Sequence, residues 1–222
     1  ISRTQTITVN PAAQAAFVNP PADVTVACGA VPPAANLTYN NGASGACQIT
    51  GAATPTDGMQ PGTCGGTFTR TWTFTDACSR TITHTQNITV NPAPAPVFAA
   101  APANVTVACG AVPAAANLSY TNSASGACLI SGSAASTDSP TPGLCGGTIT
   151  RTWTFTDACN RTISASQTIT VNPAAQAAFV NPPADVTVAC GSIPPAANLT
   201  YDNSASGACQ ITGAATPTDG MQ

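Results

Sequence analysis

Residues 66–78 read Gly-Thr-Phe-Thr-Arg-Thr-Trp-Thr-Phe-Thr-Asp-Ala-Cys, and this stretch decides the fold. Phe68, Trp72, Phe74 and Cys78 share one parity, while Thr67, Thr69, Thr71, Thr73 and Thr75 occupy the other. Strict alternation of that kind marks a β-strand with one face in a core and one face in water. Working outward, residues 81–90 continue it, with Ile82, Ile88 and Val90 set against Thr81, Thr83, Thr85 and Thr89. Upstream, Val24, Val26 and Cys28 share a face, Leu37 alternates with Tyr39, and Cys47 with Ile49. Pro and Gly clusters separate these runs. Short alternating strands between turn signals predict an antiparallel β-sandwich near the small end of the domain range.

The pattern recurs. Ile-Thr-Val-Asn-Pro begins at Ile7, Ile88 and Ile169, Val-Thr-Val-Ala-Cys-Gly at Val24, Val105 and Val186, and Arg-Thr-Trp-Thr-Phe-Thr-Asp-Ala-Cys at Arg70 and Arg151, always 81 residues apart. A period of that length is the signature of a tandem array. It divides the chain into residues 1–11, the expected last strand of a preceding domain, whole repeats at 12–92 and 93–173, and a partial repeat at 174–222. Residues 11–60 and 173–222 differ at only four positions: Ala30/Ser192, Val31/Ile193, Asn40/Asp202 and Gly42/Ser204. Duplication of a two-repeat block accounts for that near-identity.

Composition restricts the function classes. The 222 residues carry a net charge of -3, and charged residues make up 6%, all of them Arg or Asp. No basic surface exists to neutralise a run of phosphates, so nucleic acid is not an expected partner. No apolar run is long enough to cross a bilayer, so no membrane contact is expected within this stretch, and no secretion signal is present. The ten cysteines lack any Cys-x-x-Cys pair, which points to disulfides formed in an oxidising compartment.

The cysteines fall into four classes at the 81-residue spacing: Cys28, Cys109 and Cys190; Cys47, Cys128 and Cys209; Cys64 and Cys145; Cys78 and Cys159. Alternating strand direction places Cys28 and Cys64 at one end of a repeat and Cys47 and Cys78 at the other. The expected bridges are therefore Cys28–Cys64 and Cys47–Cys78, repeated as Cys109–Cys145 and Cys128–Cys159. Sequential pairing, Cys28–Cys47 with Cys64–Cys78, is the rival.

Together, the Val-Thr-Val-Ala-Cys-Gly turn, the Gly-Thr-Cys segment at 62–64, the R-x-W-x-x-T-D-x-C strand and the terminal Ile-Thr-Val-Asn resemble a known repeat class. These are the hyalin-repeat-like and immunoglobulin-like repeats of giant Bacteroidota surface proteins, including the gliding-motility adhesins. The resemblance implies immunoglobulin-like sandwiches, type IX secretion, surface display and an adhesin or filament role. With the Pro-Ala connectors, such as Asn91–Pro96, it leads to an expected rod of serial domains.

No catalytic constellation can be assembled. His84 is the single histidine, and Arg3 and Ala165 stand at its repeat equivalents, so a strand-filling role is expected. Asp57 and Asp76 are read as turn residues. The cysteine spacings lack the short knuckle pairs of zinc sites, and the aspartates are too scattered for calcium. No enzyme activity, cofactor or metal is therefore expected. Arg70 and Trp72 form either a cation–π platform or a buried pair, and parity favours burial. The threonine face, Thr67, Thr69, Thr71, Thr73 and Thr75, is a candidate contact surface for glycans. The expected partners are neighbouring domains of the array and other copies of the chain in a fibre. The expected function is an extracellular stalk or filament, with a glycan- or surface-binding module and a self-assembling fibre subunit as alternatives.

Overall fold

The computed structural model describes residues 1–218, so the last four residues of the partial repeat at 174–222 lie outside the described residues. The chain is all-β, with single 3-10 turns at Gly45–Cys47, Gly126–Cys128 and Gly207–Cys209. The first repeat comprises β1 (Ala16–Phe17), β2 (Val24–Val26), β3 (Leu37–Asn40), β4 (Thr50–Ala53), β5 (Pro55–Asp57), β6 (Gly66–Thr75) and β7 (Thr81–Val90). The same seven recur as β8 (Val97–Phe98), β9 (Val105–Val107), β10 (Leu118–Thr121), β11 (Ser131–Ala134), β12 (Ser136–Asp138), β13 (Gly147–Thr156) and β14 (Thr162–Val171). The partial repeat supplies β15 (Ala178–Phe179), β16 (Leu199–Asp202) and β17 (Thr212–Ala215).

Each whole repeat is an immunoglobulin-like sandwich of a three-stranded and a four-stranded sheet, ordered β1-β3-β4 and β2-β7-β6-β5 in the first. The long hairpin β6–β7 is antiparallel from Gly66↔Val90 to Thr75↔Thr81. By contrast, β2 runs parallel to β7, from Val24↔Ile88 to Val26↔Val90, so the expected purely antiparallel sheet is in fact mixed. β4 and β5 are separated by a single residue yet belong to different sheets, so this strand crosses the sandwich.

Alternation explains the core. Trp72 (3% exposed), Leu37, Tyr39 and Ala53 pack across the two sheets, with Phe74 and Ile82 against them, and Phe68, Ile88 and Val90 form a second cluster under β2. Tyr39 stacks on Phe74 at 3.8 Å between centroids and lies over its cross-strand neighbour Gly51. A Cβ at Gly51 would sit 2.5 Å from the Tyr39 hydroxyl, so only glycine fits beneath the ring.

Arg70 is the buried exception that parity predicts, at 4% exposure. Its Nε and Nη2 donate to the Asp57 carboxylate at 2.6 and 2.9 Å, and Nη2 and Nη1 donate to the carbonyls of Pro32 and Pro33. Asp57 is thus a strand residue of β5, not the turn residue expected from sequence: the buried guanidinium one strand away requires a bidentate partner. Arg151 and Asp138 repeat the arrangement. Trp72 donates its indole N–H to the Ala35 carbonyl, and His84 bonds the Pro21 carbonyl while its ring lies 5.6 Å from that of Trp72.

Two stretches that echo strands elsewhere are not strands. Residues 1–11 are equivalent to 82–92, which hold all of β7 but its first residue, and Val186–Val188 are equivalent to β2. In the first repeat β7 is paired along its whole length with β6 and at its last three residues with β2.

The Asp57 and Asp138 carboxyls are held below the ordinary carboxylate range by the side-chain hydrogen bonds of Arg70 and Arg151. A depressed folded-state value contributes stability above the unfolded value, which is lost as pH falls through the folded one. Thermal stability is expected to hold from neutral pH down to about pH 4 and to decline below it. Asp57→Asn should cost about 2 kcal/mol at neutral pH, less than a fully buried pair because the Asp57 side chain keeps 25% exposure. Its deficit against the parent should shrink in acid, which thermal melts across pH will measure.

Candidate functional site

Four turns per repeat carry the cysteines. Val26↔Val90 and Val90↔Gly66 are cross-strand neighbours, which puts Cys28 just beyond β2 and Cys64 just before β6 at the same end of the sandwich. Cys78 lies in the β6–β7 hairpin turn at the opposite end, and it lines a surface cavity together with Cys47.

The cysteines at one end do not join each other. The bridges are Cys28–Cys128, Cys64–Cys159 and Cys109–Cys209, with Cα separations of 6.0, 5.2 and 5.9 Å. All three lie within the span of about 4.4–6.8 Å that a disulfide requires. Cys47, Cys78, Cys145 and Cys190 are free and exposed. The expected bridges Cys28–Cys64, Cys47–Cys78, Cys109–Cys145 and Cys128–Cys159 are therefore corrected, and sequential pairing fails as well. Parity and strand direction identify the end of a repeat at which a thiol sits. They cannot identify which repeat supplies its partner, because every class recurs every 81 residues.

The pairing follows one rule. The Cys28 class of one repeat bonds the Cys47 class of the next, and the Cys64 class bonds the Cys78 class of the next. The compact units follow the bridges: one consists of Ile1–Val97 with Thr121–Ser131 and Thr156–Arg161, the other of Phe98–Tyr120, Gly132–Phe155 and Thr162–Gln222. Cys28–Cys128 and Cys64–Cys159 lie inside the first, and Cys109–Cys209 inside the second.

Local hydrogen bonds aim each thiol. Gly29 adopts φ +80°, reversing the chain after Cys28, and a Cβ there would lie 3.5 Å from the Cys128 sulfur. Asn122 Nδ2 donates to the carbonyls of Cys128 and Pro94, and its Oδ1 accepts from the backbone N–H groups of Ala124 and Ile130. Asn41 and Asn203 make the same bonds around Cys47 and Cys209. Alternation does not reveal these asparagines, but the repeat does carry a signal: Asn persists at 41, 122 and 203 while the preceding residue changes from Asn to Thr to Asp.

In the hairpin, Asp157 Oδ1 accepts from the N–H groups of Cys159 and Arg161, and Oδ2 from Arg161 Nε. Arg161 Nη1 then donates to the Ala93 carbonyl. Asp76 and Arg80 repeat this with Ala12, so Asp76 is a turn residue as read, and it also anchors an arginine.

The threonine face stands outward. Thr67, Thr69, Thr73 and Thr75 are exposed and Thr71 half-buried, with hydroxyl pairs at Thr67–Thr89 (3.0 Å) and Thr75–Thr81 (2.8 Å). Among the described residues, no three His, Cys, Asp or Glu side chains gather closely enough to hold a metal ion, and no helix is long and apolar enough to cross a membrane.

Residues 97–171 match the family of HYR-like domains with 4 cysteines. That segment, about a third of the chain, is hyalin-repeat-like, a domain type of extracellular repeat and adhesion proteins. With the three disulfides, it marks the chain as extracellular. No curated protein matches the chain.

Alkylation of the folded chain should modify Cys47, Cys78, Cys145 and Cys190, and peptide mapping should recover 28/128, 64/159 and 109/209 as cross-linked pairs. Recovery of a 28/64 peptide would reject the rule. Asn122→Ala should cost about 1–3 kcal/mol through the polar groups it strands, and should speed reduction of Cys28–Cys128 by dithiothreitol.

Proposed function

We propose that this chain is a load-bearing stretch of an extracellular stalk or filament, and that it works mechanically, without catalysis. The observation that carries this reading is that the disulfides join successive repeats. In an unlinked array, a repeat that unfolds under tension releases its whole 81 residues, roughly 280 Å of chain. Here the covalent path runs from Cys28 through the bridge to Cys128, back to Cys109, and through the next bridge to Cys209. Only the stretch from Cys109 to Cys128, about 19 residues or roughly 65 Å, can pay out per repeat. Such wiring limits extension even when the sandwiches open.

Each bridge also closes a loop of 95 or 100 residues. In the chain-entropy model such a loop contributes about 4.7 kcal/mol. The low charge leaves little repulsion between neighbouring repeats. His84, the single histidine, bonds the Pro21 carbonyl and lies against the Trp72 ring.

The finer assignment, to a giant Bacteroidota surface adhesin of the gliding-motility kind with the repeats in a rod, rests on the R-x-W-x-x-T-D-x-C resemblance. Its partners in that setting are the neighbouring domains of its own array. A second reading, glycan or surface binding, draws on the outward threonine ladder of β6 and β7, and binding on a glycan array that is lost on Thr69→Ala and Thr73→Ala would favour it.

Single-molecule pulling on the full chain, tethered at its two ends, tests the mechanical reading. The oxidised chain should stop near roughly 200 Å, and dithiothreitol should extend it to roughly 750 Å. An oxidised chain that reaches the longer value would exclude a load-bearing role for the bridges.

A further inference from the structure

The four free cysteines are not scattered. Cys47 and Cys78 belong to the two classes that accept a bridge from a preceding repeat, and Cys145 and Cys190 to the two that send one to a following repeat. For each, the rule obeyed by the three bridges places the partner outside the 222 residues. The burial contrast agrees. Cys128 and Cys209, which are bridged, are 5% and 6% exposed, whereas their equivalent Cys47 is exposed. Cys159 is half-buried, whereas Cys78 is exposed.

The face around Cys47 and Cys78 is otherwise built like its bridged counterpart. The Asn41 bonds hold the 3-10 turn of Cys47 as Asn122 holds that of Cys128, and Asp76 holds the hairpin of Cys78 as Asp157 holds that of Cys159. The cavity the two thiols share is lined by Tyr39, Ile49 and Phe74 and by the Asp76–Arg80 ion pair, so it is part apolar and part polar. At the bridged counterpart, Ala127 and Cys128 lie in a cavity with Cys28, Val31 and Pro61 of the preceding repeat.

We propose that the Cys47–Cys78 face is a two-pronged covalent docking surface, and that its partner is the end of another repeat of this kind. That partner presents a Cys-Gly-Ala-Val-Pro turn to Cys47 and a Cys-Gly-Gly loop to Cys78. This deepens the stalk reading and rests on it. Each bridge forms by two exchanges with a low-molecular-weight disulfide such as glutathione disulfide. The Cys47 or Cys78 thiolate displaces one glutathione thiolate to give a mixed disulfide, and the incoming cysteine thiolate then displaces the second. The two protons lost by the protein thiols go to the two released glutathiones, so the protein pair is oxidised as glutathione disulfide is reduced.

The test lengthens the full chain by inserting a copy of residues 93–173 between Pro11 and Ala12, which preserves the 81-residue register. Both chains are refolded in a glutathione redox buffer, labelled with a maleimide and mapped. In the parent, Cys47 and Cys78 take label. In the lengthened chain both should lose it, with Cys47 recovered on the inserted Val-Ala-Cys-Gly peptide and Cys78 on the inserted Leu-Cys-Gly-Gly peptide. Label should appear instead on the inserted equivalents of Cys47 and Cys78, leaving the total at four. In the same lengthened chain, Cys78→Ser should leave the inserted Leu-Cys-Gly-Gly thiol free while the Cys47 bridge still forms.

Persistent labelling of Cys47 and Cys78, or a Cys47–Cys78 bond, would overturn the proposal. If the parent bridges 28/128, 64/159 and 109/209 are nevertheless recovered, the stalk reading survives that failure. If they too are absent, both fall.

Discussion

The covalent link between one repeat and the next is the constraint on which the rest of the structure depends. A sandwich of this size has little apolar area to bury, and its two core clusters are small. A disulfide confined to one repeat would stabilise that repeat alone. A disulfide from Cys28 to Cys128 makes the folding of each repeat a condition of its neighbour's junction, because both turns must be formed before the sulfurs can meet. Stability is thereby pooled along the chain.

The hydrogen-bonded turns make sense as preparation for that link. The Asn122 side chain makes four hydrogen bonds around the turn of Cys128, and Asp157 with Arg161 locks the hairpin of Cys159. Arg161 also reaches the Ala93 carbonyl, tying the hairpin to the connector that leads into its repeat. Much of the chain's scarce charge is spent in this way: Arg70, Arg80, Arg151 and Arg161 each pair with an aspartate of their own repeat.

Several features were legible residue by residue. Trp72 in the core, Arg70 on the core parity and an outward threonine row follow from the period of two in residues 66–78. The parallel pairing of β2 with β7 was not legible, since alternation looks the same whichever way a neighbouring strand runs. Nor was the role of Asp57, whose partner Arg70 is distant in sequence and becomes adjacent only through the pairing of β5 with β6.

By itself, the sequence determined the 81-residue period, the sandwich strands and the four cysteine classes, because side-chain alternation and repetition are properties of the chain read in one dimension. The tertiary structure alone decided which copy of each class is the partner. Cys47 and Cys128 share the Ala-Ser-Gly-Ala-Cys turn and the same parity, so strand pattern does not distinguish them as a mate for Cys28. The choice depends on which two turns approach to a Cα separation of 6.0 Å, and that distance exists only once successive repeats have been brought together.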